Sequence, residues 1–336
     1  MQSFMQNDHP EISVIIVARN EQYFIRDCML SIRKQFSDSF PWELILVDGM
    51  SEDRTKEIAV KYAEEAGIEN FRIIENTGIT LATGWNKGIK AARGNYVIRP
   101  DAHAILYPSY ISKAYETIKK MPKVAVVGGT LETLAKGYWG EVIRDALSSK
   151  AGVGNSSFRT HAESGYKDTA VYGLYRKEVF EKVGYFNEDL VRHQDNEFHS
   201  RILAKGYKIY MNREMKAGYY CRDNVPALLN QMYRIGYYLP DLSGRKSMGG
   251  LRLRHLAPAA FFISLIIGFL LANFLNIFLY LSLAASAIYL VFIVLNAFYI
   301  GLKNLNWKSL WLVFLIPAIH FTYFLGTLTG FIKKLK

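Results

Sequence analysis

The chain has 336 residues, half of them hydrophobic, and a net charge of +11. Nine basic residues and no acidic one lie beyond Asp241, so residues 1–241 carry only +2. The excess charge is therefore local, which excludes a nucleic-acid reading, and two cysteines exclude a disulfide framework. Met1 to Pro10 is polar and lacks the apolar core of a signal peptide.

Ile12 to Val17 is a continuous apolar run, expected as a buried parallel strand ending in Ala18-Arg19-Asn20-Glu21. Phe24, Cys28, Ile32 and Phe36 recur every four residues and predict a helix. Leu44 to Val47 is a second strand, closed by Asp48-Gly49, after which Ser51 or Asp53 can cap a helix carrying Ile58, Tyr62 and Ala66. Phe71 to Ile74 is a third strand, Gly78 to Arg93 a loop and helix, and Tyr96 to Ile98 a fourth strand. This βαβαβαβ order predicts an α/β fold with a doubly wound sheet. Ligands of such sheets bind at the strands' carboxyl ends, where Asn20-Glu21, Asp48 and Asp101-His103 fall.

Arg99-Pro100-Asp101-Ala102-His103 is the densest of these strand ends. Side chains two apart on extended backbone point the same way, so Asp101 and His103 can converge on a divalent cation such as Mn²⁺. The plain alternative is an exposed acid and a surface histidine. Neither a Gly-x-Gly-x-x-Gly nor a P-loop sequence follows the first strand.

Further along, Pro108 to Lys120 reads as a helix and Val124 to Val127 as a strand. Residues 137–170 read as irregular, with a flexible stretch at Gly152, Gly154, Asn155 and Ser156. Strand character returns at Ala170 to Tyr175 and at Tyr207 to Met211, and Lys177 to Val183 is a short helix. Phe198, Ile202 and Leu203 mark a helix after Asp195, and Pro226 to Tyr238 forms an aromatic-rich amphipathic helix.

The C-terminal part is apolar. Ala257 to Ile300 and Ser309 to Ile332 contain no charge. The first run is long enough for two spans of about 20 residues, turning near Asn273 and Asn276, and the second for one. About three transmembrane helices are expected, with an interfacial or re-entrant third segment as the alternative. Arg245, Lys246, Arg252 and Arg254 precede the first span and place the N-terminal domain in the cytoplasm, beside anionic lipid. Lys303 and Lys308 agree with that topology; the Lys333-Lys334-Leu335-Lys336 tail does not, since three crossings put it outside.

Several separated motifs together resemble family 2 glycosyltransferases of the GT-A fold, of the succinoglycan-type exopolysaccharide kind. They are Val14 to Glu21, Leu46 to Thr55, Trp85 to Ile89 with Ala92-Arg93-Gly94, Arg99 to Ala104, Asp168-Thr169, Tyr172 to Arg176, Val191 to Phe198, and Gln231 to Gly236. The resemblance runs from about residue 11 to 258 and implies a GT-A mixed sheet, a nucleotide-sugar donor and a Mn²⁺ or Mg²⁺ cofactor. It implies that Asp48 holds the uracil or ribose, with Ala18, Glu21 and Asn86 lining the pocket. Asp101-Ala102-His103 stands at the family's Asp-x-Asp metal motif, Asp195 at the catalytic base, and Gln231 with Arg234 at the Gln-x-x-Arg-Trp motif near the acceptor. Here His103 replaces the second acid, Ala18 the usual proline and Ile235 the tryptophan associated with processive synthases.

The chemistry is consistent with these roles. A sugar hydroxyl needs a base as its bond to the anomeric carbon forms, and a departing diphosphate needs a cation. Asp195 is the expected base, with a helix N-cap as its plain alternative; Glu197 is the other candidate base. Arg234 fits a pyrophosphate or a lipid headgroup. His320 is a packed residue or an intramembrane functional group. The expected organisation is a tail (1–10), a cytoplasmic glycosyltransferase domain (11–224), an interfacial basic segment (225–256), transmembrane helices (257–332) and a basic tail (333–336). The expected activity is inverting transfer of one sugar to a lipid-linked saccharide at the cytoplasmic membrane. A processive synthase and a non-catalytic nucleotide-sugar-binding scaffold are the alternatives.

Overall fold

The computed structural model describes residues 9–154, 163–242, 251 and 253–335. Asn155, Ser156, Arg245, Lys246, Arg252, Lys336 and most of the N-terminal tail lie outside the described residues, as does the side chain of Arg254. Seven elements alternate at the start: β1 (Ile12–Ala18), α1 (Ile25–Arg33), β2 (Trp42–Asp48), α2 (Thr55–Glu65), β3 (Phe71–Glu75), α3 (Leu81–Ala91) and β4 (Tyr96–Ile98). Next come β5 (Ala104–Leu106), α4 (Tyr110–Lys120), β6 (Val124–Leu134), α5 (Gly137–Leu147) and α6 (Lys150–Val153). Then follow β7 (Gly165–Lys167), β8 (Leu174–Arg176), α7 (Glu178–Val183), α8 (Gln194–Ala204) and β9 (Lys208–Tyr220). The chain closes with α9 (Val225–Tyr237), α10 (Leu253–Leu271), α11 (Asn276–Lys303) and α12 (Leu312–Leu335).

Two compact units result: Met1–Glu132 with His161–Tyr219, and Thr133–Thr160 with Tyr220–Lys336. The two units exchange segments along the chain. Residues 133–154, expected inside the N-terminal domain and partly irregular, group with the C-terminal unit.

In the first unit the sheet runs β3-β2-β1-β4-β8-β6-β9-β5, with β7 against β9. β3, β2, β1 and β4 are parallel; β8 is antiparallel to β4 and to β6. The sheet is thus mixed, parallel only where strands and helices alternate in sequence. β1 is buried along its whole length, as its unbroken apolar run requires. Helix α3 lies unusually close to it. A methyl group at Gly88 would come 2.5 Å from Ile15 Cγ2 and one at Gly84 2.7 Å from Val17 Cγ1, so glycine permits this approach. Phe180, Phe186 and Phe198 pack the other side of the same core, each contributing about 1.5–3 kcal/mol by burial.

In the second unit α5 is an amphipathic helix hidden behind its glycines. It buries Val142, Ile143, Ala146 and Leu147 with Leu228, Ala297, Leu312 and Ile316. Polar bonds pin it to the turn between α11 and α12. The buried Asp145 accepts from Ser309 Oγ at 2.6 Å and from Asn304 Nδ2 at 3.2 Å, and Glu141 pairs with Lys308 at 2.8 Å. The expected turn near Asn273 separates α10 from α11. Two helical stretches, Asn276–Lys303 and Trp307–Leu335, have the length and hydropathy to cross a membrane, whereas the apolar part of α10, His255–Leu271, is shorter. By that measure the count is two, not about three.

Candidate active site

Four segments of the first unit meet at the carboxyl ends of β1, β2 and β4. Ala18 and Asp48 are register partners, Asp48 pairs with Glu75 of β3, and Val17 pairs with Asp101 in parallel. The sheet therefore delivers Asp48 and Asp101 to one edge by its hydrogen-bond register alone.

The loop after β1 is tied to the loop after β2. Asn20 and Met50 both adopt positive φ, 56° and 59°, which turns the two loops toward each other. Asn20 Oδ1 accepts from Glu52 N at 2.9 Å, and Glu21 N donates to Thr55 Oγ1 at 2.8 Å. Neither Ser51 nor Asp53 is the N-cap of α2, which begins after Arg54. Ser51 Oγ instead accepts from Asn20 N, whereas Asp53 accepts at Oδ1 from Thr55 N, the first residue of α2, at 3.0 Å and at Oδ2 from Gln22 N. The strand-end loops thus use their capping residues to hold one another.

Asp48 is fully buried. Its Oδ2 accepts from Ser51 N at 3.1 Å and lies 3.8 Å from Lys56 Nζ, while Oδ1 has no hydrogen-bond partner among the described residues. An orphaned buried acceptor is costly, and a donor on a bound ligand relieves it. Glu21 Oε1 lies 3.1 Å from His103 Nδ1. Asp101 Oδ2 accepts from Tyr172 OH at 3.2 Å. Burial, with the nearby charge of Asp195, raises the Asp101 carboxyl above the usual range, against the pull of His103, Arg99 and Tyr172. A cation beside Asp101 would relieve the same strain on its charge.

Asp195 is the second residue of α8, whose N-cap position is His193, so the capping role does not apply. Its carboxylate, 42% exposed, pairs with the buried guanidinium of Arg99. Arg99 also donates to Tyr175 OH at 3.1 Å. Its guanidinium carbon lies 4.0 Å from the Trp85 ring centre and 4.5 Å from that of Phe186, a cation–π box. Burial opposes its charge, yet Asp195 and Tyr175 more than offset this and hold the guanidinium protonated. Below lies His199, one turn along α8. Its ring bonds Thr169 Oγ1 and Tyr175 OH, each at 2.9 Å, and burial lowers its pKa to about 4. Asp195, Arg99, Tyr175, His199 and Thr169 thus form one connected chain.

Glu197 points elsewhere. It is buried and makes a bidentate pair with Arg201, at 2.8 and 2.9 Å, whose guanidinium also caps Val183 O and Tyr185 O. Asn86 is likewise structural in its contacts: its amide bonds both N and O of Phe186, and Glu188. Glu21, Asp48, Asp101, His103 and the backbone of Ala18 come together at the strand ends; Asn86 holds the 186–188 loop. Gln231 and the exposed Arg234 belong to α9 of the second unit.

Sequence reading passed over Arg99, Tyr172, Tyr175 and His199. Arg99 is a charge directly after a wholly buried strand, and His199 lies four residues from Asp195 on one helical face; both signals were available. The tyrosines arrive through β8, whose place beside β4 is set only by the sheet.

Residues 13–184 match the family model for glycosyl transferase family 2. A Methanococcus voltae protein, dolichyl N-acetyl-alpha-D-glucosaminyl phosphate 3-beta-D-2,3-diacetamido-2,3-dideoxy-beta-D-glucuronosyltransferase, is 30% identical over 67% of this chain and 71% of its own. The succinoglycan biosynthesis protein ExoA of Rhizobium meliloti is 26% identical over 74% of this chain and 76% of its own. Among solved structures, the mannosyltransferase PcManGT of Pyrobaculum calidifontis, in complex with GDP-Man and Mn²⁺, superposes with a TM-score of 0.58. It covers 98% of this chain and 88% of its own at 16% identity. That likeness establishes the GT-A type of mixed sheet.

Proposed function

We propose that this chain, which belongs to glycosyl transferase family 2, moves one sugar from a nucleotide-sugar to a lipid-linked saccharide, inverting the anomeric carbon. The observation that carries the reading is the meeting of Asp48, Asp101 and the Glu21–His103 pair at one sheet edge, with Asp195 held over Arg99. A UDP-sugar is the first donor to test. The lipid-linked acceptor and the role in polysaccharide synthesis are supported by what the two relatives are named for.

Asp48 Oδ1 accepts a donor from the nucleoside, satisfying a buried atom that otherwise lacks a partner. Asp101 and His103 fit a Mn²⁺ or Mg²⁺ ion, by carboxylate and imidazole donors and by the strain on Asp101's charge. With Nδ1–H donated to Glu21, Nε2 of His103 would be the nitrogen left to hold a cation. Among the described residues no three His, Cys, Asp or Glu side chains form a closed cage, so a cation held by Asp101 and His103 would need water and the diphosphate to complete its ligands. When bound, the cation stabilises the charge that develops on the departing diphosphate. Asp195 takes the proton of the acceptor hydroxyl as its oxygen bonds the anomeric carbon, while the bond to phosphate breaks with its electron pair on the diphosphate. Arg99 fixes the Asp195 carboxylate for that transfer. Gln231 and Arg234 serve the acceptor's pyrophosphate. The apolar helices seat the protein in the cytoplasmic membrane with the catalytic unit inside, as the basic residues before α10 favour.

Membranes carrying Asp195→Asn or Asp101→Ala, given labelled donor and lipid acceptor, test this. Each variant is expected to lose transfer by about 10²-fold or more. Full transfer by both overturns the mechanism.

A further inference from the structure

Length and hydropathy single out α11 and α12 as the two crossing helices, but packing within the second unit divides the helices differently. α10 and α11 form an antiparallel hairpin: Phe261 meets Tyr289 with ring centres 4.8 Å apart, and Gly268 lies so close to Ser282 that a Cβ would collide with its hydroxyl. α11 carries exposed apolar side chains at consecutive positions, Leu290-Val291-Phe292 and then Val294-Leu295, which occupy more than one helical face.

α12 behaves otherwise. Its middle and C-terminal part run beside α9 at backbone contact, and its first half packs on Ile293, Ala297 and Ile300 of α11. Leu228 packs with Leu312, Leu315 and Ile319 near its start. Gly326 and Gly330, a Gly-x-x-x-Gly pair, leave no room for a Cβ against Tyr233 O and Tyr237 O, and Gly236 none against Tyr323 O. Tyr233 OH and Thr329 Oγ1 lie 3.0 Å apart. At its end Lys333 covers the Tyr237 ring at 5.2 Å and Lys334 Nζ donates to Pro240 O at 2.8 Å. Such backbone contact locks two helices together. α9, with 13 residues including Asn230, Gln231 and the exposed Arg234, is too short and too polar to cross hydrocarbon. α10 meets α12 near its middle, where Tyr323 OH donates to His255 O at 2.9 Å and Phe262 stacks on Phe324. The large exposed side chains of α12, Phe314, Phe321, Leu325, Leu328, Ile332 and Leu335, are spaced 7, 4, 3, 4 and 3 apart and make one stripe.

We propose that α12 does not cross the membrane. It lies in the interface paired with α9, its single apolar stripe seated in one lipid leaflet, while α10 and α11 cross as a hairpin. The lipid leaflet is the occupant because the stripe is apolar, as is the exposed surface of that hairpin, and ends in lysines, the pattern of an interfacial helix. Two crossings return the lysine tail to the side of α5 and α9. β1 is on that side too, since only residues 135 and 136 link β6 to α5, too few to span a bilayer. The conflict between the basic tail and the positive-inside tendency then disappears.

The inference rests on the membrane placement proposed above. The full chain with Cys28→Ala and Cys221→Ala carries one new cysteine, His9→Cys, Asn273→Cys or Leu335→Cys, and intact cells are treated with a membrane-impermeant maleimide. Leu335→Cys is expected to label as His9→Cys does, only after lysis, and Asn273→Cys in intact cells. Leu335→Cys labelling with Asn273→Cys, or all three alike, overturns the proposal. A wild-type chain ending in green fluorescent protein or alkaline phosphatase repeats the test with both cysteines intact. Fluorescence without phosphatase activity is expected, and the reverse overturns it. If alkaline carbonate strips the protein from membranes, the membrane placement itself fails. If the protein stays and only the Leu335→Cys result is wrong, the α12 assignment alone fails.

Discussion

The two units depart from the ordinary distribution of polar and apolar groups in opposite directions. In the first, charge is buried: Asp48, Arg99 and Glu197 lie inside, each against named partners. In the second, apolar surface is exposed along α10, α11 and one stripe of α12. An exposed leucine alone means little, but buried charge and a contiguous apolar surface each need a cause. On the function proposed above, the cause in the first unit is chemistry at a fixed point and in the second contact with lipid. Their tolerances should differ accordingly, the first failing by geometry and the second by shape.

The sharpest comparison inside the first unit is Asp195 against Glu197. Asp195→Asn keeps a partner for Arg99 and is expected to lower transfer by about 10²–10⁴-fold, with a small change in melting temperature. Glu197→Gln leaves Arg201 half-satisfied. Because Arg201 keeps some solvent, the expected cost is about 2–3 kcal/mol, read as a lowered melting temperature with transfer per folded molecule retained. The reverse pattern breaks the assignment of roles.

His199 gives the next largest effect. Its folded-state pKa of about 4 lies below the ordinary 6.5. As pH falls from 6.5 to 4 the unfolded chain takes a proton that the folded one does not, so stability is lost across that window. The loss is roughly 3 kcal/mol when complete. His199→Gln is expected to flatten the melting temperature against pH between 6.5 and 4; an unchanged slope shows that the acid sensitivity arises elsewhere.

In the second unit Gly326→Leu drives a side chain into Tyr233 O. It is expected to cost about 1–3 kcal/mol as overpacking, seen as a lower melting temperature in detergent while nucleotide binding by the first unit is unchanged. Weakened nucleotide binding would show that the two units are not separable. The smallest effect belongs to Lys56→Met. The lysine is 41% exposed and 3.8 Å from Asp48, so stability should change by less than about 1 kcal/mol, and the donor KM only slightly.

Much of the first unit could be read from the sequence, because β1 to β4 alternate with helices and their ends fall where the apolar runs stop. Asp48 and Asp101 are strand-end acids for that reason, and the resemblance added Asp195. The α5 helix was missed because Gly137 and Gly140 dilute its pattern and its partners lie more than 150 residues later, at Ser309 and Leu312. The capping expectation at Ser51 failed because the neighbouring loop took that side chain, while Asp53 bonds both the first N–H of α2 and that loop. Asn86 sits where the pattern put it, yet its amide bonds the chain at Phe186, a partner 100 residues away.

The sequence by itself determined the parallel half of the sheet, the acids at its edge, the apolar C-terminal runs and the family resemblance. These depend on local periodicity, on composition and on motifs within short segments. Only the tertiary structure decided that β8 inserts beside β4 and sets Tyr172 and Tyr175 against Asp101 and Arg99, and that α12 runs with α9. Those outcomes depend on which surfaces meet across the chain. Local propensity does not encode such pairings; they follow from hydrogen-bond register in the sheet and from backbone approach at glycine in the helices.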